Sequence, residues 1–170
     1  MQPSGTETGA AHSNAPDGVD EQKFRAPGKA DMLEEKVLAE LQQAQADMEA
    51  YTQYDRSFRR RDTVEVVKDV LRRVKEAASE INQQPEDIRE RLYYLIYNAT
   101  ILIFKACHQL RLANFSIEAT HFLAFNILCL DNNLILTTIK YMDWRVLNYT
   151  ELARAYADFG AVKAASKVIG

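Results

Sequence analysis

Glycine and proline are almost absent from most of this 170-residue chain. Between Lys29 and Phe159 there is no glycine, and Pro85 is the single proline. A β-sheet protein needs a turn about every 8–12 residues, usually marked by glycine, an asparagine–glycine pair or proline. The scarcity therefore argues against all-β and α/β folds. It also excludes glycine-rich nucleotide loops, because neither GxGxxG nor GxxxxGK[ST] can be written in this sequence.

The chain also lacks an excess of positive charge and has few nucleophilic or metal-binding residues. Its 21 basic and 24 acidic side chains give a formal charge of −3, which argues against a general nucleic-acid binder. Cys107 and Cys129 lie in apolar stretches and are predicted to be buried free thiols. Cys107 and His108 would point about 100° apart on a helix, so they cannot share one metal ion. We expect no catalytic residue, no metal and no cofactor.

Long hydrophobic runs are missing as well. The apolar stretch 92–104 is 13 residues long, and the stretch 122–142 is interrupted by Asp131 and Lys140. A membrane-spanning helix needs about 20 predominantly apolar residues. We therefore expect no membrane partner, and no motif for a small-molecule substrate is present either.

The glycines and prolines that do occur are concentrated at the N-terminus. Residues 1–29 contain four of the six glycines and three of the four prolines, with few large apolar side chains. Such a segment buries too little apolar surface to offset the entropy lost on ordering. The composition predicts a disordered tail over residues 1–29.

Beyond the tail, apolar residues recur at intervals of three and four, which is typical of amphipathic helices. Within residues 30–84 this pattern predicts one helix over 31–51 and a second from Asp62 to near Asn82, separated by an arginine-rich joint. Asp62, with Glu65 three residues later, resembles an N-terminal capping arrangement for the second helix.

Residues 85–170 are predicted to form helical hairpins. Pro85 is expected to open a helix that continues to about Leu112, because proline is tolerated in a first helical turn. This helix is apolar nearly all round from 92 to 106, so other elements must cover it on every side. Asn114 is expected to take the left-handed conformation that ends a helix. Further helices are predicted over 116–130, over 138–159 and from Ala161 onward.

The spacing near the C-terminus resembles that of a tetratricopeptide helix pair. In that motif an aromatic, a leucine, a small residue and a tyrosine line one helix, a glycine makes the turn, and an alanine allows close packing. The residues in these positions are Tyr149, Leu152, Ala153, Tyr156, Gly160 and Ala165. When the same spacing is counted back from Ala119 instead of Ala165, the other positions of the pattern are Ile103, Ala106, Cys107, Leu110 and Asn114.

The predicted fold class is therefore all-α, with antiparallel helical hairpins stacked as a tetratricopeptide-like α-solenoid fragment behind the disordered tail. An ordinary helical bundle is the alternative. Solenoids need polar caps at their ends, whereas Ile169 continues an apolar pattern. We therefore expect the hairpin region to be truncated at residue 170 and to continue in a longer protein.

Two groups of residues are candidate partner-binding sites. The segment 56–75 has eight basic and three acidic side chains and includes Arg59, Arg60 and Arg61. It is either a solvated helix face with a joint, or a contact for an acidic partner such as nucleic acid or the acidic tail of tubulin. Nucleic acid is less favoured, because aromatic residues other than Phe58 do not alternate with these arginines.

The second group is aromatic. Its members are Tyr141, Trp144, Arg145 and Tyr149. Tyrosine, tryptophan and arginine are the usual anchors of protein interfaces, and this spacing places the group on one helix face. Packing against the preceding hairpin is the alternative, and we favour it.

Several segments within residues 90–160 resemble one protein family. They are Leu95–Thr100, Cys107 with Leu110, Ser116 with Ala119, Cys129–Asp131, Leu136–Thr137, and Tyr141–Arg145 with Tyr149. The most specific element is the Tyr-x-x-Trp-Arg group. Together these segments resemble the N-terminal helical-repeat region of the cilia- and flagella-associated protein 54 family.

The resemblance implies a non-enzymatic structural scaffold in the central apparatus of the ciliary and flagellar axoneme, part of the cytoskeleton. It implies a role in assembling a projection there, and hence in cilium motility. The implied partners are other axonemal projection proteins, and the microtubule surface is a further candidate. The alternative is a cytosolic helical-repeat adaptor outside cilia that binds a peptide or a helix.

Overall fold

The computed structural model describes residues 28–169, which form seven α-helices and no strand. The helices are α1 (Lys29–Tyr54), α2 (Arg61–Asn82), α3 (Glu86–Arg91), α4 (Tyr93–Leu112), α5 (Ser116–Asp131), α6 (Met142–Asp158) and α7 (Val162–Ile169). The all-α prediction is confirmed for this part of the chain. Both cysteines are buried and unpaired, as predicted.

The predicted tail lies outside the described residues except at its end. Lys29, which the sequence placed in the tail, is instead the first residue of α1. The reason is a local cap: the Gly28 backbone N–H donates a 2.8 Å hydrogen bond to the Asp31 carboxylate. A carboxylate in the first turn satisfies an N–H that has no partner within the helix, and it complements the helix dipole.

The long helix predicted from Pro85 to Leu112 is interrupted. Leu92 leaves helical geometry (φ −96°, ψ 13°) and separates α3 from α4. No side chain of α3 is buried, whereas Leu92 is completely enclosed. The break therefore lets a surface turn lead into a buried helix. A helix does begin at this proline, as predicted, with Pro85 in the cap position and Glu86 and Asp87 in the first turn.

A second difference concerns the start of α6. The sequence predicted a helix from Thr138, but residues Ile139–Tyr141 form a 3₁₀ turn and α6 begins at Met142. The Tyr141 backbone N–H donates to the Thr138 carbonyl at 3.0 Å, which closes this tighter turn. Short 3₁₀ turns are frequent at helix N-termini, and apolar periodicity does not distinguish them from α-helix.

The helices pack as successive hairpins in chain order. The first hairpin pairs α1 with α2, and its antiparallel direction follows from two contacts. Lys36 Nζ lies 2.7 Å from a Glu80 carboxylate oxygen, and Arg73 lies 3.2 Å from Glu40. The second hairpin pairs α4 with α5, and the third pairs α6 with α7.

The hairpins stack so that their first helices run parallel. Between α4 and α6, the Trp144 indole N–H donates to the Thr100 hydroxyl at 3.0 Å, and His108 lies 2.8 Å from Glu151 further along both helices. The first hairpin contacts the second through α1, α2, α4 and α5, and the second contacts the third mainly through α5 and α6. This order of contacts is the neighbour pattern of stacked hairpins.

Helix α4 lies at the centre, as its uniform hydrophobicity predicted. It contacts α1, α2, α5 and α6. Its buried residues are Leu95, Ile96, Ala99, Thr100, Leu102, Ile103, Ala106, Cys107 and Leu110. A helix that is apolar on all sides is stable in water only when neighbouring helices remove each side from solvent.

Two hairpin turns share one backbone geometry. Asn114 (φ 67°) ends α4 in the left-handed region predicted for it, and Gly160 (φ 79°), predicted as the turn glycine, ends α6 in the same region. In each turn the next residue donates its N–H to the carbonyl five positions earlier: Phe115 to Leu110 at 2.8 Å and Ala161 to Tyr156 at 2.9 Å. These bonds are those of the Schellman motif. The two turns lie 46 positions apart, the same interval that separates Ala119 from Ala165 in the predicted pattern.

The other residues of the predicted tetratricopeptide-like pattern near the C-terminus lie in the third hairpin. Leu152 and Ala153 of α6 are buried, while Tyr156 and, in α7, Ala165 are half-buried. The predicted boundary between residues 84 and 85 falls in the turn that connects α2 to α3.

We predict that Gly160→Ala destabilises the protein by about 1–2 kcal/mol, because an L-residue with a Cβ is strained at positive φ. A Cβ at this position would meet no atom within 4 Å, so the cost is conformational and not steric. Chemical denaturation monitored by circular dichroism measures it. Gly160→Asn is the matched control and should cost less, since asparagine tolerates this conformation, as Asn114 does.

Candidate interaction surfaces

The structure brings the predicted aromatic group into contact with α4. Tyr141 is largely buried, and its ring centroid lies 5.1 Å from that of Tyr97. The Trp144 ring lies 5.0 Å from Phe104, and its indole N–H donates to Thr100. These contacts attach the start of α6 to the central helix.

Arg145 and Tyr149 bind one carboxylate at the end of α5. The Arg145 guanidinium donates to an Asp131 oxygen at 2.7 and 3.1 Å, and the Tyr149 hydroxyl donates to the other oxygen. The hydrogen bond to Asp131, together with burial, raises the pKa of Tyr149. Asp131 is thus held by two side chains of α6.

All four residues of the aromatic group therefore take part in packing within the chain, the alternative that the sequence favoured. Their predicted role in binding a partner is a separate question, and it stays a prediction. Arginine and tyrosine anchor folded cores by the same physical means as interfaces, so residue type alone does not separate the two uses.

A buried ionic cluster that the sequence did not predict lies between α4 and α6. Glu151 has only 1% of its surface exposed, yet its carboxylate accepts a 2.6 Å hydrogen bond from Arg111 and lies 2.8 Å from His108. The signal was present, because Glu151 falls on the helix face formed by Asn148, Leu152 and Ala155, all of which are buried. An acidic residue at a core position indicates a buried partner.

The cluster extends to the start of α5. Arg111 also lies 3.5 Å from Asp158, whose carboxylate accepts a 2.7 Å hydrogen bond from the Ser116 hydroxyl.

Burial, and secondarily the charge of Glu151, raises the pKa of the Cys107 thiol well above its usual range. This cysteine is therefore a packed apolar side chain and not an activated nucleophile.

We predict that Glu151→Ala lowers the free energy of unfolding by about 3–5 kcal/mol, the usual cost of removing one partner of a buried ion pair. The variant leaves the Arg111 guanidinium without its main carboxylate. Urea denaturation measures the change. Glu90→Ala removes an exposed carboxylate and serves as the control, with an expected effect within about 0.5 kcal/mol. Equal losses in both variants would contradict the assigned role of Glu151.

The arginine-rich joint between α1 and α2 is an ordered loop. The Asp55 carboxylate accepts the backbone N–H of Arg60 at 2.9 Å and that of Arg59 at 3.2 Å. Phe58 adopts positive φ (51°) and is only 4% exposed, so its side chain anchors the loop in the core. The joint thereby holds the side chains of Arg59, Arg60 and Arg61 in solvent.

The predicted cap of α2 is wrong. Arg60 occupies the cap position, no side chain caps the helix, and Asp62 lies inside the first turn. Asp62 lies 3.7 Å from the Arg60 guanidinium instead. The sequence motif predicted the wrong capping residue because Asp55, five residues before the cap position, already fixes the backbone that leads into α2.

We predict that Asp55→Ala reduces the protection of the Arg60 and Arg59 amides against hydrogen exchange, whereas Asp62→Ala does not. Hydrogen bonds from these amides, that of Arg60 foremost, lower the pKa of Asp55. A lowered carboxyl pKa stabilises the folded joint above the ordinary carboxyl range, and the stabilisation is lost as the pH falls through the folded value. Protection factors in the unaltered protein should therefore decrease in acid. Equal protection in both variants would contradict the role of Asp55.

Within residues 28–169, no helix is both long and apolar enough to cross a bilayer. The same residues contain no group of three or more histidine, cysteine, aspartate or glutamate side chains placed to hold a metal ion.

Comparison with known proteins places the chain in a family. The family model described as "Cilia- and flagella-associated protein 54" matches residues 16–168. The mouse (Mus musculus) protein of that name is 30% identical over 70 residues, which are 41% of this chain and 2% of that protein. The protein from Chlamydomonas reinhardtii is 32% identical over 80 residues, 47% of this chain and 3% of that protein. The human (Homo sapiens) protein is 29% identical over 70 residues, again 41% of this chain and 2% of that protein.

The matched segments are thus about 2–3% of the length of these curated relatives. No solved structure matches the chain. Because the family model covers nearly all of the described residues, the chain belongs to the cilia- and flagella-associated protein 54 family.

Proposed function

We propose that this chain is a non-enzymatic structural scaffold in the central apparatus of the ciliary and flagellar axoneme. In this role it would hold neighbouring projection proteins during assembly of the projection and thereby serve cilium movement. Family membership supports the cilium, and the relatives are named as cilia- and flagella-associated proteins.

One structural observation carries the scaffold role. The polar side chains buried between the second and third hairpins bind each other across helix interfaces. Besides the Glu151 cluster, the Asn126 amide N–H₂ donates to the Thr100 carbonyl and to the Asn148 side chain, both at 2.8 Å. Hydrogen bonds between buried polar groups favour one relative arrangement of the elements that they join. A part that transmits force needs such a fixed arrangement.

The interface between the first and second hairpins has a similar bond. Tyr94 of α4 donates its hydroxyl to Glu34 of α1 at 2.5 Å, and Arg91 forms ion pairs with Asp31 and Glu34. Burial, together with the neighbouring Glu34, raises the pKa of Tyr94 to about 12, so the phenol stays protonated and donates throughout the physiological range. Each hairpin is therefore joined to the next by side-chain hydrogen bonds as well as by apolar packing.

A cytosolic adaptor outside cilia is the second candidate, and one surface favours it. A groove of about 250 Å³ lies between the parallel helices α1 and α4. Leu38, Gln42, Gln45, Asn98, Ile101 and Lys105 contribute to its lining. Apolar and amide side chains of this kind can accept a peptide or a helix.

Localisation separates the two candidates. We predict that the full-length protein containing this segment, fluorescently tagged in cells with motile cilia, lies along the axoneme and copurifies with the central apparatus. Cells that lack it should lose a projection by electron tomography and beat more slowly. A tagged protein spread evenly through the cytosol of ciliated cells would overturn the scaffold proposal and favour the adaptor.

A matched pair of variants tests the structural part of the proposal. Glu151→Ala should fail to restore beating in those cells, because the third hairpin loses its ionic contact with the second. The Glu90→Ala control should restore it.

A further inference from the structure

A cleft opens where the first and second hairpins meet. Helices α2 and α5 run parallel, since Asn82 lies 3.3 Å from Cys129 near their ends and Lys75 lies over the Phe125 ring further back. The first two turns of α2 and the start of α5 line one cleft. The cleft between them has a volume of about 490 Å³ and is lined by Phe58, Arg59, Arg61, Val64, Glu65, Lys68, Phe115 and Glu118.

The cleft presents two arginines whose charge the described chain does not neutralise. Lys68 is paired with Glu65 at 3.1 Å. Arg59 and Arg61, by contrast, have no carboxylate within 4 Å among residues 28–169. Both side chains are exposed, while the joint described above fixes their backbone. Their positions are thus set before any partner arrives, which lowers the entropic cost of binding.

The neighbour of these arginines shows the contrast. Arg60 lies 5.4 Å over the Tyr54 ring, donates to its hydroxyl at 3.3 Å and lies 3.7 Å from Asp62. Of the three consecutive arginines, the middle one has partners within the chain and the outer two line the cleft.

Two further cations, Lys68 and Lys75, lie near His121 along the seam between α2 and α5. His121 of α5 has its pKa lowered, first by burial and then by the nearby charges of Lys75 and Lys68. The arginines also lie where the helix dipole is unfavourable to them, because Arg60 caps α2 and Arg61 begins it. A negatively charged partner would relieve both the mutual repulsion of these cations and their repulsion by the dipole.

The lining favours a peptide over a nucleic acid. A nucleic-acid strand carries a phosphate about every 3.4 Å, so it would pass the carboxylates of Glu65 and Glu118 as well as the arginines. Single strands also need exposed aromatic rings for stacking, whereas Phe58 is 4% exposed and Phe115, the other ring in the lining, is half-buried. A peptide can place separate carboxylates at Arg59 and Arg61 and leave uncharged residues beside the two glutamates.

We propose that the cleft between the first turns of α2 and α5 binds a carboxylate-rich peptide segment of a partner protein, with Arg59 and Arg61 pairing with its acidic side chains. This surface lies on the first and second hairpins. The first turn of α5 also carries Ser116, which donates to Asp158 of the third hairpin, but neither Arg59 nor Arg61 takes part in the contacts on which the scaffold proposal rests.

The test measures binding of a fluorescein-labelled, glutamate-rich peptide to the full 170-residue chain by fluorescence anisotropy. We expect saturable binding that weakens as salt is raised. The double variant R59Q/R61Q should weaken it about fivefold, within the range for two exposed ion pairs. The control K163Q/K167Q also removes two positive charges, but from exposed positions of α7, and should leave the affinity for the peptide unchanged.

A second variant works in the opposite direction and does not depend on losing a contact. E118Q removes a carboxylate from the cleft lining and should tighten peptide binding by about twofold. Circular dichroism confirms that each variant keeps its helix content.

Three results would overturn the proposal. They are no saturable binding of the peptide, equal weakening by R59Q/R61Q and K163Q/K167Q, or tighter binding of a single-stranded RNA that R59Q/R61Q weakens to the same degree. The last result would assign the cleft to nucleic acid. None of these results bears on axonemal localisation, so failure here and failure of the scaffold role are distinguishable.

Discussion

The need to cover most of the surface of α4 governs the rest of this structure. A helix with apolar residues around most of its circumference must have most of its surface removed from water, and no single partner helix can do this. Helices α1 and α2 cover one part of α4, α5 covers another and α6 covers a third, which leaves the polar side chains of Asn98 and Lys105 exposed. The stacking of hairpins is thus a consequence of one helix that requires several neighbours. The same requirement explains why one cluster of buried side chains extends from Leu33 in α1 to Ala155 in α6.

Apolar packing alone leaves the exact register of stacked helices weakly determined, because one leucine ridge resembles the next. The buried polar contacts remove this freedom. Glu151 is satisfied when α6 places it beside Arg111 and His108, and a shift by one helical turn would leave its charge buried without a partner. The amides of Asn126 and Asn148 add a second fixed point at 2.8 Å. Buried ion pairs contribute only modest net stability, so their main effect here is to specify one arrangement of the hairpins.

The sequence predicted the fold where single residues carry strong local constraints. Pro85 precedes a helix, and Asn114 and Gly160 end helices at positive φ, because backbone sterics act regardless of tertiary contacts. The predictions fail where a distant residue decides. The break at Leu92 depends on its burial among other helices. The cap of α2 was assigned to Asp62 because local spacing cannot reveal that Asp55 already organises the joint.

The candidate interaction residues likewise differ in whether their role depends on distant contacts. The sequence could identify Trp144 and Arg59 as chemically capable of binding, but not what each one contacts. The structure gives Trp144 partners on α4 and leaves Arg59 with no carboxylate within 4 Å in the described chain. A side chain that packs within the fold is accounted for by stability. Arg59 is an exposed cation on a backbone that Asp55 already holds, so a contact with an acidic partner would add attraction without the cost of ordering the loop.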